Sequence, residues 1–311
     1  MYVYIGRRLL QALPVVLGIT LVTFFMLRLI PGDPAATLLG TKATPEAIQA
    51  LHVRWGLDRP LPVQFWMFVK QLAHADTGRS LFYDVSTRSL IASRIGVTMA
   101  LVLYATVLSL LISVPLAAAA AVRKDRAADH AVRMVPLFGL GMPTFWVGLI
   151  LILIFAVNLK WFPVGGWGTT FWDHVWGLFL PGLTAALCIV PMLIRSLRAG
   201  MLEVLQADFV ATARSKGLHS TRVLFVHVAR NAFIPTLTVL GINIAFLTGA
   251  TVVIERVFQL NGLGSLMLTS ISNRDFPVVQ GITFVFALAV VVINLITDLV
   301  AARVDPRIRL Q

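Results

Sequence analysis

The chain has 311 residues, of which 58% are hydrophobic and 13% charged, and its mean hydropathy is +0.85. A soluble domain has about a quarter charged residues and about half apolar ones, so this composition excludes a soluble monomer and predicts an all-α integral membrane protein. The formal net charge is +12, but the basic residues flank the apolar runs, which favours topology signals over a nucleic-acid-binding surface.

Six apolar runs are long enough to cross the hydrocarbon core, which takes about 20 residues in a helix. The run near the N-terminus is longer than that of a signal peptide and no small-residue cleavage site follows it closely, so it predicts a retained first helix. The predicted spans are Leu9–Ile30, Val97–Val122, Val132–Val157, Trp176–Ile194, Phe233–Ile254 and Val278–Ala301.

Lysine and arginine near the span ends predict the orientation of the chain. They concentrate before the first span, between the second and third, between the fourth and fifth, and after the sixth. Positive charge stays on the cytoplasmic side, so both termini are predicted to be cytoplasmic. These basic residues are Arg7, Arg8, Arg123, Lys124, Arg126, Arg133, Arg195, Arg198, Arg214, Lys216, Arg222, Arg230, Arg303, Arg307 and Arg309.

The segment of residues 31–96 after the first span is predicted to be extracytoplasmic and partly helical. Thr44, Pro45 and Glu46 are typical of a helix start, and Gly56 of its end. A second helix, Leu61–His74, would carry one apolar face that packs on the outer ends of the spans. A structural cap and a docking role for an external partner both remain open.

The longest predicted cytoplasmic loop, at about 195–231, holds a polar stretch from Asp208 to Gly217 between two apolar spans. The stretch has good helix formers and ends on a glycine suited to a helix C-terminus, and Ser220 is expected to cap a second short helix. Two short helices joined by a glycine turn would either dock on a partner or rest on anionic lipid.

Here the sequence resembles the "EAA" loop of ABC importer permeases, through Ala211, Thr212, Ala213 and Gly217. Ala211 stands where the generic pattern has glutamate. In that family the loop forms a coupling helix that docks in a groove of a cytoplasmic ATPase. The resemblance implies that the coupling residues are Asp208, Ala211, Thr212, Ala213, Arg214, Lys216, Gly217, Arg230 and Asn231.

The residues after the glycine resemble the dipeptide, oligopeptide and nickel branch of that family, whose pattern His-x-x-Arg-Asn-Ala-x-x-Pro occurs at 227–235. The branch implies di- or oligopeptides as cargo, with nickel chelates, glutathione and opines as alternatives. Further matches are spread along the chain. They are Leu-Ile-Pro-Gly-Asp-Pro at 29–34, Gly-Leu-Asp-Arg-Pro-Leu at 56–61, Asp-Thr-Gly-Arg-Ser at 76–80, Glu-Arg-Val-Phe at 255–258, Gly-Leu-Gly at 262–264, Arg-Asp-Phe-Pro-Val-Val-Gln at 274–280 and Asp-Pro-Arg-Ile-Arg at 305–309. Asn261 stands where proline is usual before the Gly-Leu-Gly element.

The resemblance implies a six-helix type I importer permease in the inner membrane of a bacterium, in three parts. These are a first helix with an extracytoplasmic segment at 1–95, a permease core at 96–303 with its coupling loop at about 200–231, and a tail at 304–311. The implied partners are a homologous second permease subunit, two cytoplasmic ABC ATPases, an extracytoplasmic substrate-binding protein and membrane lipid, with no nucleic acid. The chain itself would be non-catalytic and hold no cofactor, since ATP and magnesium would be bound by the ATPases.

Ionisable and amide residues in or near the spans are candidates for the gate or the pathway. Glu255 and Arg256 end the fifth span, where a self-satisfied pair is the alternative. Asp298 and Asn294 share a face of the sixth span. A structural pairing of Asp298 with Arg195 or Arg303 is the interpretation that the sequence favours.

Two other classes of protein fit less well. An ion-coupled secondary transporter should show midplane carboxylates or inverted repeats, and neither is evident. A membrane enzyme should show a motif such as HExxH or GxSxG, and neither occurs. The lone Cys188 and the loop histidines His219 and His227 have no metal-ligand spacing, so no metal site is predicted.

Overall fold

A computed structural model describes residues 2–29, 33–40, 43–74 and 77–304. Within these ranges the chain is helical without a β-strand, apart from an isolated bridge between Arg79 and Ser86. The helices are α1 Tyr2–Leu29, α2 Pro34–Leu39, α3 Pro45–Trp55, α4 Leu61–Ala73, α5 Thr87–Val122, α6 Ala127–Gly141, α7 Thr144–Leu151, α8 Phe171–Gly177, α9 Phe179–Leu205, α10 Asp208–Ser215, α11 Ser220–Arg222, α12 Arg230–Val257, α13 Leu263–Ser272 and α14 Phe276–Val304, with π-helical turns at Ile152–Asn158 and Val223–Ala229.

Five helical stretches in the described ranges are long and apolar enough to cross a membrane. They match the first, second, fourth, fifth and sixth predicted spans, so the prediction of an all-α membrane protein is confirmed. The stretches are Gly6–Phe25, Thr87–Val122, Phe179–Leu205, Ser220–Val257 and Phe276–Val304.

The third predicted span, Val132–Val157, is divided into two helical pieces. α6 ends at Gly141, Met142 is extended, and α7 begins after Pro143. Proline disfavours a helical conformation in the residue before it and lacks the N–H that would continue the ladder. The break therefore follows from Pro143.

The chain consists of two compact units, Met1–Val97 with Asn261–Val291 and Thr98–Leu260 with Val292–Gln311. In the first unit the predicted helix start after the first span is confirmed. Thr44 Oγ1 accepts a hydrogen bond from Ala47 N–H at 3.2 Å, and Gly56 ends α3 with a φ of 67°. Local capping signals alone are enough to set both ends of this helix.

The predicted apolar face of α4 is also confirmed, and it packs on α1. Phe68 and Leu72 are each 7% exposed and form a cluster with Phe24 of α1. The ring of Phe24 meets the rings of Phe65 and Phe68 at centroid distances of 5.2 and 5.9 Å. α4 is thus anchored to the first span by aromatic contacts.

Within the first unit, a turn at 80–83 is hydrogen-bonded to Asp275, which connects the motif at 76–80 with the motif at 274–280. The buried carboxylate of Asp275 accepts hydrogen bonds from Ser80 Oγ and from the backbone N–H of Leu81, the latter at 3.0 Å. Ser80 Oγ in turn accepts from Tyr83 N–H at 2.8 Å. The turn after α4 and the start of α14 are held together by a satisfied, buried polar network.

The core of the second unit is the packing of α9 against α12, with α5, α6, α7 and the end of α14 around it. α12 and α14 come close at Gly241, where a Cβ would lie 2.4 Å from Oγ1 and 2.6 Å from Cγ2 of Thr297. Thr297 Oγ1 donates to the carbonyl of Ile293 at 2.8 Å, which fixes that side chain. Small residues at such crossings allow membrane helices to approach closely.

We expect Gly241→Ala to destabilise the protein and Gly249→Ala to leave it unchanged or slightly more stable. The two glycines lie on the same helix and gain equally in helix propensity, but a Cβ at Gly249 meets nothing within 4 Å. Overpacking costs about 1–3 kcal/mol, which lowers Tm by roughly 5 °C in a chain of this size. Thermal unfolding of both variants in detergent measures the difference, and equal Tm values would contradict the close approach.

Candidate functional site

The predicted short helix is present as α10, and its ends follow from the sequence. Asp208 places a carboxylate in the first turn, where it is favoured by the helix dipole. At the other end Gly217 has a φ of 76° and donates its N–H to the carbonyl of Arg214 at 2.9 Å. The expected glycine stop is therefore confirmed.

One face of α10 is seated on the rest of the second unit. Val210 is 1% exposed and Ala213 is 8% exposed. They pack against residues of α5, α9, the second π-helical turn and α12, which together we name the pad. The pad consists of Ala117, Ala118, Ala121, Leu197, Met201, Val223, Val228 and Ala232.

The opposite face of α10 is exposed and combines small and basic side chains. The exposed residues of this face, together with Lys216 directly after the helix, are named the outward face: Asp208, Phe209, Ala211, Thr212, Arg214, Ser215 and Lys216. Of the coupling residues expected on this helix, Ala213 alone points into the pad. Phe209 was not among the predicted site residues, yet its side chain is 47% exposed, and an exposed aromatic residue on a short helix is a signal that sequence periodicity could have supplied.

The chain leaves α10 differently from the expectation. Ser220 was expected to cap a second helix, but His219 occupies the cap and its Nδ1 accepts from Thr221 N–H at 3.4 Å. From Ser220 the helix runs without a break through a π-helical turn into α12. π-helical turns within α-helices are frequent at functional sites.

Arg230 and Asn231 lie exposed at the start of α12, directly after that π-helical turn. The side-chain amide of Asn231 donates to the carbonyl of His227 at 2.6 Å. This hydrogen bond ties the side chain of Asn231 to the backbone of the π-helical turn.

Sequence reasoning missed a buried carboxylate beside the pad. Asp129, at the start of α6, is 0% exposed. One of its oxygens accepts from Arg198 Nε at 2.6 Å, and the other accepts from Arg198 Nη2 at 2.7 Å and from Arg133 Nη2 at 2.6 Å. The backbone N–H of Asp125 adds a fourth hydrogen bond at 2.9 Å.

The hydrogen bonds from Arg198 hold the pKa of the Asp129 carboxyl well below its usual range; burial opposes this, and Arg133 and the Asp125 N–H add to the lowering. A carboxyl whose pKa is lowered in the folded state stabilises the fold above the unfolded pKa and loses that effect as the pH falls through the folded pKa. Asp129 is therefore an anion throughout the neutral range. The pair with Arg198 therefore keeps both charges throughout that range.

The four gate or pathway candidates have different surroundings. Glu255 is fully buried and accepts a hydrogen bond from Thr98 Oγ1 at 2.6 Å, whereas Arg256 next to it is exposed. Asn294 is exposed and Asp298 half-buried on α14. Their gating roles, and the pairing of Asp298 with Arg195 or Arg303, stay predictions.

Among the described residues, no three His, Cys, Asp or Glu side chains come together in a way that would hold a metal ion. Of the motif residues, 30–32, 76 and 305–309 lie outside the described ranges, and so does the predicted tail from residue 305 on.

Two family models and several known proteins match nearly the whole length of the chain. The family described as binding-protein-dependent transport system inner membrane component matches residues 113–310, and its N-terminal counterpart matches residues 1–83. An oligopeptide transport system permease protein of Bacillus subtilis is 38% identical over 314 residues, with 99% of each chain covered. A putative peptide transport system permease protein of Brucella abortus is 38% identical with 97% of this chain and 98% of that one covered, and a glutathione transport system permease protein of Salmonella choleraesuis is 35% identical with 98% of each covered.

The matches and the five apolar helices together confirm the predicted resemblance and the predicted multi-pass location. The chain belongs to the family of inner membrane components of binding-protein-dependent transport systems, as a permease protein.

Proposed function

We propose that the chain is one permease subunit of an ATP-driven importer, and that α10 is the contact through which cytoplasmic ATPases move it. The observation that carries the proposal is the two-sided construction of α10. Its inner face is packed into the pad, so a displacement of α10 is passed to α5, α9 and α12. Its outward face is free to meet another protein.

The chemistry of the outward face favours a protein partner over lipid as its occupant. Ala211 and Thr212 let a second surface come close, and Arg214 and Lys216 favour acidic groups on that surface. A helix that rests on lipid buries a wide apolar face in the membrane, whereas the large apolar side chain on this face is Phe209 alone. A narrow, small-residue face with a single aromatic side chain fits a groove in a partner.

ATP binding and hydrolysis on the partner would alternate the importer between inward-facing and outward-facing states. A ligand shifts such an equilibrium only as far as its affinity differs between the two states, so ATP must bind better to the state in which the two ATPases are closed. The part of this chain is mechanical, because α10 and the pad convert that closure into a movement of the spans. ATP and magnesium stay on the ATPases.

Di- and oligopeptides are the proposed cargo, since related permease proteins are named for oligopeptides, peptides and glutathione. The partners in this proposal are a second permease subunit, two ATPases and an extracytoplasmic binding protein that presents the peptide. Four residues are proposed to contribute to the gate or to the pathway of the peptide through the permease. They are Glu255, Arg256, Asn294 and Asp298.

Uptake into proteoliposomes tests the proposal. The complete complex, with radiolabelled trialanine as probe and binding protein outside, should accumulate the peptide only when ATP is enclosed with the ATPases. The chain reconstituted alone should transport none. Accumulation driven by a proton or sodium gradient without ATP would instead identify an ion-coupled secondary transporter, and accumulation of reduced glutathione but not trialanine would reassign the cargo.

A further inference from the structure

A buried ion pair ties the corner between α5 and α6 to α9. Arg198 of α9 donates two hydrogen bonds to the carboxylate of Asp129 at 2.6 and 2.7 Å, one to each oxygen. The carboxylate is fully buried and the Arg198 side chain is 17% exposed. A bidentate ion pair of this kind fixes the relative orientation of α6 and α9 as well as the distance between them.

The ion pair lies next to the residues that carry α10. Arg198 follows Leu197 in the chain and precedes Met201, and both of those residues belong to the pad. On the other side, Ala121 of the pad lies in the last turn of α5, which leads into the corner, and Asp129 accepts the N–H of Asp125 in that corner. The pair therefore joins α9, which carries part of the pad, to the corner that follows α5, which carries another part.

The stability of the fold alone does not explain why a charged pair lies between α6 and α9. Replacing a buried ion pair by apolar residues of similar volume is often neutral or stabilising. The same interface already has an apolar contact one turn away, where Val132 of α6 packs with Val190 and Ile194 of α9. Apolar contacts are not directional, so they permit sliding between α6 and α9 that the ion pair does not.

We propose that Asp129 and Arg198 are positioning residues for the transport reaction. They lock the corner between α5 and α6 to α9, so that a displacement of α10 moves these helices as one body. The inference rests on the proposed function, because it concerns how the movement of α10 reaches the spans. Without the lock, α9 would move with α10 while α6 and the corner lag behind, and ATP would be hydrolysed without transport.

Arg198→Gln breaks the lock, and Arg133→Gln is its matched control. Arg133 binds the same carboxylate but lies on the same helix as Asp129, four residues on, and its side chain is 44% exposed. It does not cross to α9. We expect the trialanine moved per ATP hydrolysed by the reconstituted complex to fall about tenfold in Arg198→Gln, within the range typical of couplings between distant sites. The ratio should stay within about twofold of wild type in Arg133→Gln, since Asp129 keeps both hydrogen bonds from Arg198.

The double variant Asp129→Asn with Arg198→Gln separates positioning from stability. Removing one partner of a buried pair destabilises the protein because a charge stays buried without its counterion, and removing both charges relieves that penalty. We expect Tm of the complex to fall by roughly 5 °C in Arg198→Gln and to recover by at least half in the double variant. The trialanine moved per ATP should remain low in the double variant, because the lock is still absent.

The outcomes distinguish the inference from the function on which it rests. If transport per ATP recovers together with Tm in the double variant, the pair is structural only and the inference is wrong. The same holds if Arg198→Gln and Arg133→Gln keep the wild-type ratio. If wild-type uptake does not depend on ATP, the proposed function itself is wrong and the inference falls with it.

Discussion

Gly217→Val should produce a protein that inserts normally and supports ATP hydrolysis but transports little. The φ of 76° at Gly217 lies in the left-handed region, which costs an L-residue about 1–2 kcal/mol and a β-branched residue more. No heavy atom lies within 4 Å of a Cβ at this position, so the effect acts through the backbone and not through a clash. The backbone at residue 217 should leave the left-handed region, which changes the turn that orients α10. The amount of trialanine moved per ATP should therefore fall by about tenfold.

Gly217→Asn is the matched control for this prediction. Asparagine tolerates the left-handed region far better than valine and has room for its side chain. Uptake per ATP should therefore stay close to wild type in Gly217→Asn, with both variants present in the membrane in equal amount. Full transport by Gly217→Val would contradict the role of the turn, and equal loss in both variants would show that any side chain here blocks a partner.

Local signals in the sequence were enough to predict the elements whose ends are set by neighbouring residues. The start of α3 follows from Thr44 and Pro45, and its end from Gly56. α10 and its glycine turn were predicted in the same way, because caps and left-handed glycines act within one helical turn. The sequence could not show that His219 would replace Ser220 as the cap, since either side chain can accept from a backbone N–H.

Contacts between distant parts of the chain were beyond sequence reasoning. Asp129 and Arg198 are separated by 69 residues, and Ser80 and Asp275 by 195. In the sequence Arg198 and Arg133 indicate topology only, because basic residues at span ends are typical of the cytoplasmic side. That one of them is directed at a buried carboxylate depends on how α6 packs against α9.

The inner and outward faces of α10 could be predicted only in part. Small residues at 211–213 indicated a face for close approach, yet Ala213 turned out to be buried in the pad with Val210. Its neighbours decide this, because Leu197 and Met201 of α9 supply the apolar surface that α10 covers. Phe209 stays 47% exposed at the edge of that inner face, four residues before Ala213 on the helix.

Phe209→Ala should weaken the proposed contact with the ATPase without affecting the fold. The Phe209 side chain is 47% exposed, so its removal leaves no cavity in the pad. Aromatic side chains that enter a partner's pocket are frequent hot spots of binding and cost about 2 kcal/mol or more when truncated, equivalent to about thirtyfold in Kd. Titration of the detergent-solubilised permease pair with labelled ATPase measures this change.

Phe225→Ala provides the comparison that makes the result specific to α10. Phe225 is 50% exposed and lies outside α10, on the π-helical turn after α11. If exposed aromatic surface merely adheres to the ATPase, the two substitutions should weaken binding equally. If the outward face of α10 enters a groove, Phe209→Ala should raise Kd by about thirtyfold and Phe225→Ala should change it little. An unchanged Kd in Phe209→Ala would remove this residue from the contact and leave Thr212, Arg214 and Lys216 to form it.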